Sequence, residues 1–391
     1  MSRLPLIVHL DADAFFVSCE LALRPELRGT KCAVGGRERG IISSASYEAR
    51  ACGVYTPMPT RTAQKVCPDL ILLPHTAGLY SKVSRQMFDV CETLTPLVQR
   101  NSIDEGYLDL GLCGFKSIEA IEQRLRALQK QIWDDIQIPA SFGISTNKLV
   151  AAIASKARKP RGFTMVRAGE EAAFLAPLKI GVIPGVGLKS EARLIAAGIQ
   201  LVSDLFKRSE LELESLFGSS WPEMLRMARG EDDRVVETEY EDAKSYSTQE
   251  TFGGDIGDVQ VIERIAKRMI DELMPKIRED GKRVKTMTVK VRYPGMEDSS
   301  SSRSIATATD LENAFYPLVT LLLKAAWTKR RPLRLVSVRF SNVEGAEDQL
   351  EMFAQSDNRK RRLASVIDEL NARGPNSIVS RGHQLPPTGE N

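Results

Sequence analysis

A chain of 391 residues, 42% hydrophobic and 27% charged, has the apolar content for two to four domains and the make-up of an ordinary globular protein. No apolar run approaches the roughly 20 residues a membrane helix needs, and the six cysteines and three histidines are scattered with no C-x-x-C pair, which excludes a zinc site and a disulfide framework and points to a reducing, cytoplasmic compartment. The net charge of +3 hides an uneven distribution: Lys276 to Arg339 holds fourteen Lys or Arg against six Asp or Glu, so a polyanionic partner competes with a merely solvated basic face.

The first element, in "LPLIVHL", reads as a buried strand, broken too soon by Asp11 and Asp13 to be a signal peptide. Asp11 lies at its end, and Asp13 is expected to cap a helix starting near Ala14. A turn at Gly35 and Gly36 precedes "IISSASYEARACGV", which predicts a strand, a serine cap, a short helix and a stop at Gly53. Strand-like residues Val98, Ile103, Tyr107, Leu108 and Leu110 surround the adjacent acids Asp104 and Glu105 in "NSIDEGYLDL". The pair suits either a solvated hairpin tip or a site for a divalent cation that relieves the repulsion.

Helical spacing runs from Ile118 to Trp133, and another helix is predicted from about Asn147, after "IPASFGIS". Strands and helices mixed without strict alternation indicate an α+β fold. From about residue 168 the pattern becomes helical, with "IPGVG" between two predicted helices and an acidic stretch at 231–245 expected to tether two domains. "TMTVKVRY" then alternates, Met287, Val289, Val291 and Tyr293 against Thr288, Lys290 and Arg292. "RLVSVRF" sets Val336, Val338 and Phe340 against Leu335, Ser337 and Arg339. The pattern predicts a sheet with one buried face and one polar, basic face. A helix is expected in the tail at "RKRRLASVIDELNARG".

If the strands ending at Asp11 and near Asp104 are neighbours, and a turn lets both members of the pair converge, three carboxylates share one sheet edge. An all-oxygen acidic cluster suits Mg²⁺.

"HLDADAFFVSCE", "SASYEARACGV", "SIDEGYLDL", "FGISTNKLVAAIASKARKPRG" and "IPGVG" occur here in the order and spacing of the Y-family translesion DNA polymerases, which the chain resembles over roughly residues 5 to 355. The pair Phe15-Phe16 is more similar to the bacterial polymerase IV branch than to the polymerase V catalytic subunit. The resemblance implies a right-hand polymerase: a palm at 1–14 and 77–167, fingers at 15–76, and a thumb with a helix-hairpin-helix at 168–235. A linker at 236–244, a C-terminal α/β little finger at 245–345 and a tail at 346–391 follow.

It further implies template-directed translesion synthesis in DNA repair, from deoxynucleoside triphosphates onto a primer 3′-hydroxyl. Two Mg²⁺ per active site, with Mn²⁺ able to substitute, would be held by Asp11, Asp104, Glu105 and the carbonyl of Ala12. Tyr47, Arg50 and Lys159 match triphosphate contacts, and Phe16 matches the steric gate beneath the sugar. Gly185 and Gly187 of the hairpin, and Lys290, Arg292 and Arg339 of the basic sheet, would meet the primer–template backbone. "QLEMF", with Gln349, Leu350, Met352 and Phe353, resembles the bacterial sliding-clamp binding box. A monomer, independent of membranes, is expected. A noncatalytic adaptor on the same fold stays open, though it would have no need of the three acids; so does a polymerase-V-like subunit that requires a partner.

Overall fold

Val8, Leu10 and Ala12, alternating along β1 (Ile7–Ala12), bury one face of the strand against an apolar layer, while His9 and Asp11 point to the other. The computed structural model describes residues 4–36, 39–239, 242–345, 355–372 and 379–384, in two units, Met1–Tyr240 and Glu241–Asn391.

In the first unit, β1 leads into α1 (Phe15–Leu23), then β2 (Cys32–Gly35), β3 (Ile41–Ala45), α2 (Tyr47–Ala51), β4 (Met58–Pro59), α3 (Thr60–Val66) and β5 (Ile71–Leu73). Strands β4-β3-β2-β5 form a small sheet of their own. Ser46 caps α2 as expected, accepting from Ala49 N at 3.2 Å. The chain returns through α4 (Leu79–Glu92), β6 (Val98–Arg100), β7 (Glu105–Asp109), α5 (Ile118–Ile136), β8 (Ala140–Ser145), α6 (Lys148–Lys156) and β9 (Phe163–Met165). Ser117 and Asn147 cap α5 and α6.

The main sheet has the order β6-β7-β1-β8-β9, with β1 antiparallel to both neighbours. Met87 and Phe88 of α4, and Ile121, Leu125, Leu128 and Ile132 of α5, cover its apolar face. Helix α6 lies against the other face, so close to β8 that a Cβ on Gly143 would sit 2.0 Å from Ala151 O and 2.2 Å from Ser155 N. Four short helices follow: α7 (Glu171–Leu175), α8 (Leu188–Ala196), α9 (Glu210–Phe217) and α10 (Trp221–Ala228).

Three sequence expectations change here. Asp13 does not cap α1: the N-cap is Ala14, in the left-handed region (φ 46°), with no side-chain capping bond, because the Asp13 side chain is drawn inward by partners far along the chain. The segment before "IPGVG" is a single 3₁₀ turn, Ile180–Val182, rather than an α-helix. The acidic stretch from 231 is no loose tether at its start. Asp232 accepts from Leu149 N at 2.8 Å, Val235 O from Lys148 Nζ at 3.0 Å, and Glu237 N donates to Gln99 at 3.0 Å.

The second unit contains β10 (Ser245–Ile256), α11 (Val259–Glu279), β11 (Lys282–Arg292), β12 (Asp298–Thr309), α12 (Tyr316–Ala326), β13 (Leu333–Gly345) and α13 (Gln355–Ala372). Its sheet order is β10-β13-β11-β12, and α11 and α12 pack on the face of Met287, Val289, Val291, Val336, Val338 and Phe340. The opposite face is less uniformly open than alternation predicts: Leu335 and Ser337 are buried, and the Ser337 hydroxyl donates to Thr248 O on the neighbouring β10 at 2.9 Å. Helix α13 is tied to this unit by Arg278–Asp368 (2.7 Å) and Arg361–Asp310 (2.9 Å). "QLEMF" lies outside the described residues.

The approach of α6 to β8 leaves no room for a methyl group. Gly143→Ala is expected to destabilise the first unit by about 3 kcal/mol, the upper end for overpacking, because backbone must move. Gly253→Ala, where an added Cβ meets nothing within 4 Å, should have little effect. Urea unfolding of the two variants checks the contrast.

Candidate active site

The end of β1 and the start of β7 meet in register, Asp11 opposite Glu105. Asp104 stands one residue before β7, in the hairpin turn from β6, and its carbonyl accepts from Ala12 N at 2.9 Å. The turn is tied by Ser102, whose hydroxyl donates to Asp104 Oδ1 at 2.5 Å and accepts from the amides of Asp104 and Glu105 at 3.3 and 3.2 Å. It interrupts the strict two-residue alternation, so both acids reach the same sheet end as Asp11. Gly106 is required next, since a Cβ there would lie 2.6 Å from Gln99 O and 2.7 Å from the Phe88 ring. Both readings of the acidic pair thus coincide in place: it is a hairpin tip, and it abuts another acid.

Burial pushes the Asp11 carboxyl up, against the pull of Lys159, and Asp104 adds to the rise. Burial also raises Glu105; Lys156 opposes the rise, and Asp11 and Asp104 reinforce it. His9, beneath them, is driven down to about 3 by burial and by Lys156 and Lys159. A neutral imidazole, 3.8 Å from Glu105, therefore supplies no compensating charge. Lys159 does, in an ion pair with Asp11. Among the described residues no three acidic, Cys or His side chains converge as a ready-made ligand set: Asp11 turns to Lys159, Asp104 to Ser102 and Glu105 towards His9. The donor set nevertheless fits divalent cations. It is all carboxylate, its members raise one another's proton affinity, and a cation already neutralises part of it.

Residues 10–156 match the impB/mucB/samB family and residues 243–352 match that family's C-terminal domain. A DNA polymerase IV of Opitutus terrae is 70% identical over 383 residues, spanning 98% of this chain and 98% of that protein. A DNA polymerase IV of Dehalococcoides mccartyi (strain CBDB1) is 32% identical, spanning 96% of each. The structure resembles a Y-family DNA polymerase chimera of Dbh and Dpo4, with a TM-score of 0.78 at 26% identity over 87% of this chain and 99% of that one. It also resembles an insertion ternary complex of Dbh DNA polymerase, with a TM-score of 0.62 at 26% identity and the same coverage. The chain belongs to the impB/mucB/samB family of Y-family DNA polymerases.

In this Y-family chain the remaining sequence candidates among the described residues fall into four places. Tyr47 and Arg50 share a face of α2, the guanidinium 4.9 Å from the ring centroid, and Arg50 Nε donates to Ala45 O at 3.0 Å. Tyr47 and Lys159 are brought to the acids through Asp13: the Tyr47 hydroxyl lies 3.4 Å and Lys159 Nζ 3.5 Å from its Oδ1. Phe16, half-buried in the first turn of α1, packs against Tyr80. Gly185 (φ +88°) and Gly187, the N-cap of α8, belong to the helical part of the first unit and not to the acidic cluster. Lys290, Arg292 and Arg339 are on the second unit's sheet, where Arg292 is held by Asp298 at 2.5 and 2.9 Å rather than free.

Sequence reasoning missed the part Asp13 plays. Fully buried, it accepts from Ser141 Oγ at 2.9 and 3.0 Å and from Arg161 N at 2.7 Å, besides the contacts with Tyr47 and Lys159. Its spacing from Asp11, two residues along a strand direction, was the available signal, since such positions share a face. Asp13→Ala would leave buried donors on Ser141 and Arg161 without an acceptor. Chemical denaturation should show a loss on the order of 2–4 kcal/mol.

Proposed function

We propose that this chain performs translesion DNA synthesis, adding deoxynucleotides to a primer 3′-hydroxyl on a DNA template, with Asp11, Asp104 and Glu105 as its catalytic acids. The observation that carries the proposal is the register pairing of Asp11 with Glu105, with Asp104 beside them, at an open sheet end lined by Lys159. The three carboxylates and the carbonyl of Ala12 would hold two Mg²⁺, or Mn²⁺ in its place. When bound, the metals lower the pKa of the attacking hydroxyl and neutralise charge on the departing pyrophosphate.

Lys159, Arg50 and the Tyr47 hydroxyl orient the triphosphate, the first two by charge and the third by donating a hydrogen bond. With a nucleotide bound, Lys159 exchanges its ion pair with Asp11 for phosphate oxygens and frees that carboxylate for metal. Much of the acceleration then comes from positioning and charge stabilisation. Phe16 acts as a wall beneath the sugar, selecting deoxyribose by exclusion.

The second unit is suited to hold duplex DNA by its backbone. The sheet face opposite its helices carries Thr286, Thr288, Ser300, Ser302 and Ser304 beside Lys290 and Arg339, with Thr286–Ser304 and Thr288–Ser302 hydroxyl pairs at 2.8 and 3.2 Å. Hydroxyls and a few cations grip phosphates without reading bases. Gly185 and Gly187 would offer amide donors to another stretch of the backbone. We further read Gln349, Leu350, Met352 and Phe353 as the sliding-clamp contact of a monomeric enzyme. The free thiols of all six cysteines suit a reducing cytoplasm.

The purified chain alone is expected to extend a primed template with Mg²⁺ or Mn²⁺, which separates this reading from that of a partner-dependent subunit. Asp104→Ala should reduce extension by roughly three orders of magnitude or more while DNA binding, read by fluorescence anisotropy, stays close to normal. Near-normal synthesis by that variant would remove the acid from the site. Replacing Leu350 and Phe353 together by Ala should abolish stimulation by the clamp and spare synthesis without it; undiminished stimulation would count against the motif.

A further inference from the structure

One acid on α1 has no part in the chemistry proposed above. Glu20 is fully buried, yet four donors converge on its carboxylate. Thr76 N and the Tyr80 hydroxyl each donate to Oε1 at 2.9 Å; Thr76 Oγ1 and the Arg24 guanidinium donate to Oε2 at 3.0 and 2.6 Å. Burial alone would push this carboxyl up; the bonds from Arg24, Thr76 and Tyr80 outweigh it and hold it below the usual range. The group is a charged fastener, and its position in the chain says what it fastens. Glu20 lies just after β1 hands over to α1, while Thr76 and Tyr80 lie where the chain comes back from the small sheet into α4. One carboxylate therefore joins the outgoing and returning crossings.

What the fastener holds in place is an aromatic ring. Tyr80 is buried, with its hydroxyl on Glu20 and its ring edge-to-face with Phe16, centroids 4.8 Å apart at 60°. His75 meets the same ring at 4.7 Å and 83°. Phe16 packs only in part against the core, so its tilt depends on what lies behind it. Edge-to-face pairs have a defined geometry, and a ring fixed at its hydroxyl passes that geometry on.

We propose that Glu20 and Tyr80 are positioning residues for sugar selection: the carboxylate sets the Tyr80 ring, and the ring sets how far Phe16 stands from the 2′-carbon of the incoming nucleotide. This rests on the reading of Phe16 as the sugar wall. A 2′-hydroxyl differs from hydrogen by a single atom's bulk, so a small tilt of the wall is enough to admit it.

Single-nucleotide incorporation with a deoxynucleotide and its matching ribonucleotide tests the idea on the full chain. The variants are Phe16→Ala, Tyr80→Phe, Glu20→Gln and the double variant Phe16→Ala with Tyr80→Phe. Phe16→Ala should relax discrimination most. Tyr80→Phe and Glu20→Gln should each raise ribonucleotide kcat/KM relative to deoxynucleotide by about three- to tenfold, chiefly through a lower ribonucleotide KM, the scale expected for a disturbed aromatic pair. Tyr80→Phe should add nothing once Phe16 is Ala. A purely structural role would lower both activities together, with an unchanged ratio and a lower Tm; that result would overturn the proposal. Relaxed discrimination in Phe16→Ala with no change in the other two would remove the proposal and leave the wall in place. Unchanged discrimination in Phe16→Ala would remove both. Should Glu20→Gln fail to fold, Tyr80→Phe, which deletes only a hydroxyl, decides the matter.

Discussion

Three carboxylates at one end of a sheet repel one another, and the first unit is arranged around that repulsion. Strand β1 lies between β7 and β8 and is antiparallel to both, so its last residues face the β6–β7 turn on one side and the start of β8 on the other. That pairing brings Asp11, Asp104 and Glu105 to one sheet end, although each side chain turns to its own neighbour. The apolar face beneath is filled by α4 and α5. Burial and like charge both disfavour the ionised acids, leaving attraction to cations as the main relief. Lys159 supplies some of it from within the chain.

Acids in this unit divide by how many donors the protein gives them. Asp13 and Glu20 are fully buried and each collects several donors, from backbone amides, hydroxyls and a Lys or Arg. They are satisfied: Asp13 ties the end of β1 to Ser141 of β8 and to Arg161, and Glu20 ties α1 to the start of α4. Asp11, Asp104 and Glu105 have far fewer: Asp11 has Lys159, Asp104 has Ser102, and Glu105 has a neutral His9 no nearer than 3.8 Å. A carboxylate left short of donors keeps lone pairs that a cation could take, and one saturated in the interior does not.

The second unit uses a different strategy. Its sheet face opposite the helices presents hydroxyls of Thr286, Thr288, Ser302 and Ser304, and Arg292 is paired with Asp298. Hydroxyls on neighbouring strands pair with one another across the sheet, as Thr286 does with Ser304 and Thr288 with Ser302.

Much of this was legible in the sequence because the signals are local. The strand in "LIVHL", the serine and asparagine caps of α2 and α6, the helix from Ile118 and the alternation in "TMTVKVRY" each depend on residues within a turn or two of one another. The family motifs brought the acids, Tyr47, Arg50 and Lys159 into view by order and spacing. Strand order was not legible: alternation alone cannot say that β13 lies beside β10, where the Ser337 hydroxyl reaches Thr248 O. Nor were the fates of the buried acids. Asp13 looks like a helix cap from its immediate surroundings, but its partners are 128 and 148 residues away, and those of Glu20 include residues 56 and 60 away. The sequence by itself determined the elements with strong local signals, such as the first strand, α5 and β11, and which acids cluster along the chain; tertiary structure alone decided which acids are consumed as fasteners, because a hydrogen bond depends on distance in space and not on separation along the chain.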